Sequence, residues 1–319
     1  MKISSFLKLV EIQTKAASVI PYLLASFFVY YRYNTFNFKN AIIMFLSMII
    51  FDMTTTAINN YIDYSKAIKK EGFGYESHNA IVKDKLNPNH VRYLIYTMLG
   101  IAIILGLLLV VNTNIIVLLL GALAFAIGIT YTFGPIPISR TPFGEVFSGL
   151  AMGFLLTFIT IYIHIFDMGI LNINYSNFNS INIMFNLKEL IILFIVCLPA
   201  ITGISNIMLA NNICDIEDDI VNRRYTLPIY IGKEKALKLF KWLYYIGYIA
   251  IVMAVIIRAL PVYSLLAILV FKKVKENINK FNKLQTKKDT FGLSVQNFAM
   301  TNFVLAITVL LGIVLQKIF

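Results

Sequence analysis

Residues 189–219 read ELIILFIVCLPAITGISNIMLANNICDIEDD, an apolar run that ends abruptly in asparagine and acidic residues. About 20 predominantly apolar residues are enough for a helix to cross the hydrocarbon core of a membrane. The run therefore predicts a transmembrane helix with a polar, carboxylate-bearing segment at one end. The same combination occurs earlier in the chain, because the apolar stretch that begins at residue 40 leads into NNYID at residues 59–63.

The composition of the whole chain agrees with this interpretation. Of the 319 residues, 59% are hydrophobic and 14% are charged, and the mean hydropathy is +0.76. A soluble domain is roughly half apolar and about a quarter charged, so a soluble globular fold is excluded. We predict an all-α, polytopic integral membrane protein that forms a single domain over residues 1–319. The two polar motifs suggest a pseudo-repeat with halves at roughly 1–142 and 143–319.

The apolar stretches predict nine transmembrane helices. Eight is the alternative, because the eighth stretch is short and contains Pro261, and proline breaks the helical hydrogen-bond ladder. The predicted spans are residues 16–31, 40–61, 92–111, 114–134, 143–166, 189–210, 238–257, 258–271 and 297–316.

Positive charge is distributed unequally between the two predicted sides. Of the 28 Lys and Arg residues, 23 lie in the N-terminal segment or in and beside the loops that follow spans 2, 4, 6 and 8. Cytoplasmic loops are enriched in these residues. We therefore expect a plasma-membrane protein with a cytoplasmic N-terminus, cytoplasmic loops 62–91 and 211–237, and an external C-terminus. The formal charge of +12 then reports topology, so membrane lipids are expected partners and nucleic acid is not.

Both polar motifs place oxygen ligands on one helix face. Asn59 and Asp63 are four residues apart in the first motif, and Asp215 and Asp219 are four apart in the second, a spacing that shares a face. Carboxylates near membrane depth are costly unless they are compensated, and Mg²⁺ is usually held by a few carboxylates together with substrate phosphates. We predict a Mg²⁺-bridged diphosphate between the motifs. The predicted metal ligands are Asn59, Asp63, Asp215 and Asp219, and the three aspartates are also the predicted catalytic residues.

Further polar and aromatic residues surround the motifs. Basic side chains that follow them can bind phosphate oxygens, and aromatic ring faces can stabilise a carbocation. Asp52 lies three helical turns before Asp63 on about the same face, and an intramembrane carboxylate is a functional candidate, with a buried hydrogen bond as the alternative. The predicted diphosphate-binding residues are Lys66, Arg140, Arg224 and Asn212. The residues assigned to a substrate cavity are Asn60, Tyr61, Tyr131 and Asp52.

Together these motifs resemble those of the UbiA superfamily of intramembrane prenyltransferases. NNYID at 59–63 resembles the first NDxxD motif of that family and DIEDD at 215–219 resembles the second, and the resemblance extends over almost the whole chain. It implies nine transmembrane helices around a central cavity that loops 62–91 and 211–237 cap. It also implies Mg²⁺ as cofactor, with transfer of a polyprenyl group from a polyprenyl diphosphate to an aromatic acceptor.

Three features are most similar to the MenA branch, which prenylates 1,4-dihydroxy-2-naphthoate in menaquinone biosynthesis. They are YTFGPIP at residues 131–137, the pair Gly144-Glu145, and the run NNICDIEDDIVNRRYTLPIYIGKEKA at 211–236. The resemblance implies that the acceptor of the prenyl group is 1,4-dihydroxy-2-naphthoate. The chain departs from the usual pattern at Asn60, where the first motif has Asp, and at Arg223-Arg224, where Gly-Lys is usual.

Three alternatives stay open from the sequence. The first is a UbiA-type prenyltransferase with another acceptor, such as a different quinone ring, haem or a glycerol phosphate lipid. The second is a CDP-alcohol phosphotransferase, which would need a DGxxAR-type run that the sequence lacks. The third is an ion-coupled membrane transporter. Transporters typically have broken helices in an inverted repeat, whereas both motifs here recur on the same predicted side.

Overall fold

The computed structural model describes residues 1–66, 79–176 and 180–318, and this part of the chain is built mainly from long apolar helices. The helices are α1 (Ile3–Leu9), α2 (Ala16–Tyr33), α3 (Phe38–Lys66), α4 (Ala80–Lys83), α5 (Pro88–Asn112), α6 (Ile115–Thr132), α7 (Gly144–Ile165), α8 (Leu187–Cys214), α9 (Ile216–Val221), α10 (Leu227–Ile231), α11 (Lys233–Ile256), α12 (Phe271–Lys283) and α13 (Phe291–Ile318). Short 3₁₀ segments occupy Ile12–Lys15 and Ile138–Arg140. Eight of these helices, all but α1, α4, α9, α10 and α12, are long and apolar enough to cross a membrane.

The eighth predicted span is not a long α-helix, so the count of nine is not confirmed within the described residues. Pro261 begins a nine-residue 3₁₀ helix, Val262–Val270, which continues as the lysine-rich α12. Residues 262–283 nevertheless run alongside α13 in the opposite direction. Pro261 lies against Gly312 near the end of α13, and the Asn277 amide donates to Asn297 Oδ1 near its beginning at 2.8 Å.

Segments that are predicted to lie on the same side of the membrane are in contact with one another. Lys8 of the N-terminal segment is 2.9 Å from Asp84, close to the beginning of α5. At the opposite end of the bundle, the Arg32 guanidinium pairs with Glu189 at 2.8 Å, and the Tyr33 hydroxyl donates to the same carboxylate. The contacts therefore match an alternating path of the chain across the membrane.

A short β-hairpin connects α7 and α8, between the predicted spans 143–166 and 189–210. Strand β1 (Leu171–Ser176) pairs antiparallel with β2 (Ser180–Phe185), with Leu171 opposite Phe185. Asparagine alternates with larger residues here, the period of two that suits a strand, and Leu171 and Ile173 pack against the main core. The all-α fold class is confirmed with this one addition, which lies at the end of the bundle away from the two polar motifs.

Helix α7 packs very closely on α8, which leads into the second polar motif. Residues Gly149–Leu155 of α7 form a π-helical turn, and a Cβ atom on Gly153 would lie 2.5 Å from Ile201 Cα. The Ser205 hydroxyl of α8 donates to the Glu145 carbonyl at 2.9 Å. Small residues thus let the two backbones meet and fix the position of the second motif.

A buried ion pair joins the beginning of the first span to α3. Lys15 Nζ donates to Asp52 Oδ1 at 2.8 Å and to Thr56 Oγ1 at 2.6 Å, and the Ser18 hydroxyl donates to Asp52 Oδ2 at 2.6 Å. The side chains of Lys15 and Asp52 are only 4% and 16% exposed. Asp52, which the sequence assigns to the substrate cavity, therefore makes structural contacts, as the alternative interpretation expected. A further role toward substrate stays a prediction.

We expect Lys15→Met to lower the free energy of unfolding by about 3–5 kcal/mol, because it leaves the Asp52 carboxylate buried without its cation. Replacing both partners by apolar residues, as Lys15→Met with Asp52→Leu, should restore much of that loss. Unfolding followed by far-UV circular dichroism in detergent micelles measures Lys15→Met, Asp52→Leu and the double variant, with exposed Lys2→Met as the control. A double variant whose loss equals the sum of the two single losses would contradict a coupled pair.

Candidate active site

The second motif holds two carboxylates on successive helical turns. Helix α8 ends at Cys214 and α9 begins at Ile216, with Asp215 at the junction. The Asp219 amide still donates to the Asp215 carbonyl at 2.7 Å, so the predicted spacing of one turn persists across the break. The side chain of Asp215 is 15% exposed and that of Asp219 is 3% exposed.

A tight turn after α9 returns a guanidinium to Asp219. Arg223 has φ of 52°, a left-handed conformation that costs a residue with a side chain roughly 1–2 kcal/mol. The turn allows the Arg224 amide to donate to the Asp219 carbonyl at 2.8 Å, and Arg224 Nε lies 3.3 Å from Asp219 Oδ1. The Thr226 hydroxyl donates to the other carboxylate oxygen at 3.2 Å. Arg224 therefore lies at the motif, and its role in binding diphosphate stays a prediction.

Asp215 has a cation of its own that the sequence analysis missed. Lys287 Nζ lies 2.7 Å from Asp215 Oδ2. Lys287 belongs to the loop between α12 and α13, whose lysines the sequence analysis interprets only as a topology signal. Asp215 and Lys287 are far apart in the sequence, and no local spacing rule links them.

The electrostatics of the pair favour additional positive charge. Burial raises the pKa of the Asp219 carboxyl, and nearby Asp215 raises it further, while Arg224 lowers it. A carboxylate in this situation is stabilised by a cation close to it.

The donor chemistry of the motif fits Mg²⁺. Within the described residues no three His, Cys, Asp or Glu side chains come together as a metal-binding group, so the second motif supplies at most two carboxylates at one point. Mg²⁺ characteristically binds through one or two carboxylates and completes its coordination with water and substrate phosphates. The oxygen donors present are therefore sufficient for a metal that arrives with a diphosphate.

The loop between α6 and α7 approaches the second motif. Arg224 Nη2 donates to the Ser139 carbonyl at 3.5 Å, and the Tyr225 amide donates to the Arg140 carbonyl at 3.2 Å. The structure thus brings the backbone of Arg140 beside the second motif, and its side chain is exposed to solvent. A second predicted phosphate-binding residue consequently lies next to Arg224.

Asn212 faces a buried carboxylate. It is fully buried, and its amide donates to Glu145 Oε1 at 2.8 Å. Glu145 is 3% exposed, and its Oε2 has no hydrogen-bond partner among the described residues. Tyr131 of α6 lies close by, with its hydroxyl 3.4 Å from the Gly144 carbonyl. The phosphate-binding role of Asn212 therefore stays a prediction, and its partner Glu145 is too far away in the sequence for a local spacing rule to link the two.

The first motif lies on the last turns of α3. Asn59 is exposed and Asp63 is half-buried, whereas Asn60 is buried and donates its amide to the Leu9 carbonyl at 3.0 Å and to Glu11 Oε1 at 3.2 Å. An aspartate at position 60 could not donate these bonds and would face Glu11 with like charge. The departure from the usual motif thus has a structural reason, and Asn60 holds the N-terminal segment.

The remaining predicted residues around the first motif are Tyr61 and Lys66. Tyr61 is partly buried in a small apolar cluster around Ala57. The side chain of Lys66 and the loop residues 67–78 lie outside the described residues, and the capping of the site by loop 62–91 stays a prediction. The beginning of α2 contacts both motif-bearing helices, since Lys15 pairs with α3 and Ile20 packs with Ile204 of α8.

The sequence matches a known family over most of its length. The family model of the UbiA prenyltransferase family matches residues 18–275. Among curated proteins, the 1,4-dihydroxy-2-naphthoate octaprenyltransferase of Bacillus subtilis (strain 168) is 30% identical over 253 residues, which are 77% of this chain and 72% of that protein.

The fold matches solved structures of UbiA homologues. One from Aeropyrum pernix K1 superposes with a TM-score of 0.68 at 18% identity and covers 96% of this chain and 98% of its own. One from Archaeoglobus fulgidus, bound to DMAPP and Mg²⁺, has a TM-score of 0.66 at 14% identity, with coverage of 97% and 99%. A digeranylgeranylglyceryl phosphate synthase has a TM-score of 0.63 at 16% identity, with coverage of 98% for each chain. The chain therefore belongs to the UbiA prenyltransferase family and is an integral membrane prenyltransferase.

Proposed function

We propose that this prenyltransferase transfers a polyprenyl group from an allylic diphosphate to 1,4-dihydroxy-2-naphthoate in a Mg²⁺-dependent reaction of menaquinone biosynthesis. The observation that carries the proposal is the second motif, in which Asp215 and Asp219 each have a separate cation at the polar end of an apolar helix. The similarity to the Bacillus subtilis naphthoate octaprenyltransferase supports the choice of acceptor.

In this proposal the acidic and basic residues have different tasks. Asn59, Asp63, Asp215 and Asp219 would hold Mg²⁺, and Lys66, Arg140, Arg224 and Asn212 would bind phosphate oxygens. Bound Mg²⁺ supplies Lewis-acid neutralisation of the negative charge on the diphosphate.

Arg224 is the best-placed residue to assist departure of the diphosphate. Its side chain is 30% exposed while its Nε stays at Asp219, so its remaining N–H groups can hydrogen-bond the leaving oxygens. As the allylic C–O bond breaks, both bonding electrons stay on the diphosphate, and donors already oriented toward that oxygen lower the barrier most effectively. An apolar cavity between the helices would exclude water from the carbocation that remains.

The carbocation then reacts with an electron-rich carbon of the acceptor. A new C–C bond forms, the bond between the ring and the carboxylate carbon breaks, and the carboxylate leaves as carbon dioxide, so that its negative charge balances the positive charge of the allylic cation. Tyr61 and Tyr131 are our candidates to stabilise the cation through their ring faces, and Asn60 and Asp52 complete the set of residues that we assign to the substrate cavity. The expected cellular position is the plasma membrane, with this site on the cytoplasmic side.

We expect Asp63→Asn and Asp219→Asn to lower the rate of prenyl transfer by roughly 100-fold or more, the effect of removing one charge-stabilising group from a preorganised site. Asp218→Asn is the matched control, because Asp218 is the exposed neighbour of Asp219 and loses the same charge. Initial rates with purified protein in detergent measure all three. Equal rates for the Asp219 and Asp218 variants would contradict the assignment of the second motif.

With a long-chain allylic diphosphate and 1,4-dihydroxy-2-naphthoate, the purified protein should form prenylated product in Mg²⁺ and none in EDTA, because the carboxylates of the motifs need the metal to hold the diphosphate. Mass spectrometry of the extracted lipid detects the product. Diphosphate that binds in a metal-dependent way without product would reject this acceptor and direct the search to another quinone ring, haem or a glycerol phosphate lipid.

The proposed orientation predicts which side of the membrane is accessible. In a protein that carries Cys197→Ser and Cys214→Ser, Lys283→Cys should react with a membrane-impermeant maleimide only after the membrane is opened, whereas Lys188→Cys should react in intact cells. Both lysines are exposed, with Lys283 at the end of α12 and Lys188 at the beginning of α8, and positive charge favours the cytoplasmic side for the former. The reverse labelling pattern would overturn the orientation.

A further inference from the structure

We propose that Lys287 is a diphosphate-binding residue that the loop between α12 and α13 carries into the active site. The inference rests on the proposed function, because it takes Asp215 and Asp219 as the metal and diphosphate site. It adds a fourth polypeptide segment to a site predicted from the two motifs and the loop between α6 and α7.

The contact between Lys287 and Asp215 is short, and the ammonium is accessible. Lys287 Nζ lies 2.7 Å from Asp215 Oδ2, and half of the lysine side chain is exposed, against 15% of the aspartate. An ammonium has three N–H donors. Donors therefore remain for a phosphate oxygen that approaches from the solvent side while the lysine stays beside the carboxylate.

Each of the two carboxylates of the second motif has one partly exposed basic side chain beside it. Asp219 has Arg224 at 3.3 Å, and Asp215 has Lys287 at 2.7 Å. The carboxylates are at most 15% exposed, whereas both cations are between 30% and 50% exposed. A Mg²⁺-bound diphosphate needs anionic oxygens for the metal and cationic donors for its own oxygens, and this pattern offers both at one point.

The loop that presents Lys287 is internally hydrogen-bonded. The Thr286 amide donates to Thr290 Oγ1 at 3.0 Å, the Thr286 hydroxyl donates to Asp289 Oδ2 at 2.9 Å, and the Asp289 amide donates to Thr286 Oγ1 at 3.1 Å. These bonds define the turn on either side of Lys287. The direction of the lysine toward the motif is consequently a property of the loop, and its exposed neighbour Lys288 provides a control with the same charge in the same turn.

The first measurement is equilibrium binding to the full-length protein in detergent, with Mg²⁺ and without acceptor. The probes are inorganic pyrophosphate and a ten-carbon allylic diphosphate, and the variants are Lys287→Gln, Lys287→Arg and Lys288→Gln. Charge-assisted hydrogen bonds are among the stronger polar contacts, so we expect Lys287→Gln to weaken binding of both probes by roughly tenfold or more. Lys287→Arg should retain most of the affinity, and Lys288→Gln should stay within about twofold of the parent protein.

Steady-state kinetics and stability separate substrate binding from a structural role. Lys287→Gln should raise KM for the allylic diphosphate more than it lowers kcat. It should change Tm by no more than roughly 2 °C, since a half-exposed ion pair contributes little to stability. If Lys287 only neutralises Asp215, adding Lys287→Gln to an Asp215→Asn variant should not weaken pyrophosphate binding further. If Lys287 contacts the diphosphate, the added Lys287→Gln should still weaken pyrophosphate binding.

The outcomes distinguish this proposal from the proposed function. If Asp219→Asn abolishes diphosphate binding but Lys287→Gln behaves like Lys288→Gln, Lys287 is only an ion-pair partner and the inference is overturned while the proposed function stands. If neither Asp219→Asn nor Lys287→Gln changes diphosphate binding, the assignment of the second motif fails and the inference fails with it. A loss confined to the Lys287 and Asp219 variants supports both.

Discussion

The cost of placing carboxylates in or beside a membrane is the constraint on which the rest of this structure depends. A charged group in that environment is tolerated when it is paired or hydrogen-bonded, and the acidic residues of the bundle are paired with partners from other segments. The pairs are Asp52 with Lys15, Glu189 with Arg32, Asp219 with Arg224, Asp215 with Lys287, and Glu145 with Asn212. All of these pairs except Asp219 with Arg224, which closes a local turn, join segments that are distant in sequence, so the same contacts that compensate the charges also fix the packing of the bundle.

The sequence predicts the spans and the composition of the two motifs because both depend on local patterns. The length of an apolar stretch defines a helix, and a spacing of four residues places Asp215 and Asp219 on one face whatever the rest of the chain does. The partners of those residues depend on tertiary structure. Lys287 and Lys15 look like ordinary basic residues of a cytoplasmic segment until the fold places them against Asp215 and Asp52. The 3₁₀ segment after Pro261 and the hairpin before α8 were missed for a related reason, because packing against α13 and the core stabilises them.

The two departures from the usual family pattern have different physical consequences. At position 60 an amide is required, since Asn60 donates to the Leu9 carbonyl and to the Glu11 carboxylate. At position 223 the backbone is left-handed, and glycine, which is usual there, adopts that conformation without cost. Arg223 is therefore tolerated at some expense in stability, and the turn still delivers Arg224 to Asp219. The first departure is built into the packing of the N-terminal segment, and the second leaves the cation of the motif in place.

Burial separates the structural ion pairs from those of the candidate site. The Lys15 ammonium is enclosed. The Asp52 carboxylate, the Asp52 carbonyl and the Thr56 hydroxyl already accept its hydrogen bonds, so the ammonium has little capacity left for a ligand. At the second motif the carboxylates are enclosed but the cations are half-exposed, which is the arrangement that an anionic substrate from the aqueous side requires. The same chemical pair thus stabilises the fold at one depth and is available for binding at another. Asp52 and Asp215 each pair with a lysine and are about equally exposed. The lysines differ in exposure, and this difference distinguishes a packing contact from a binding site.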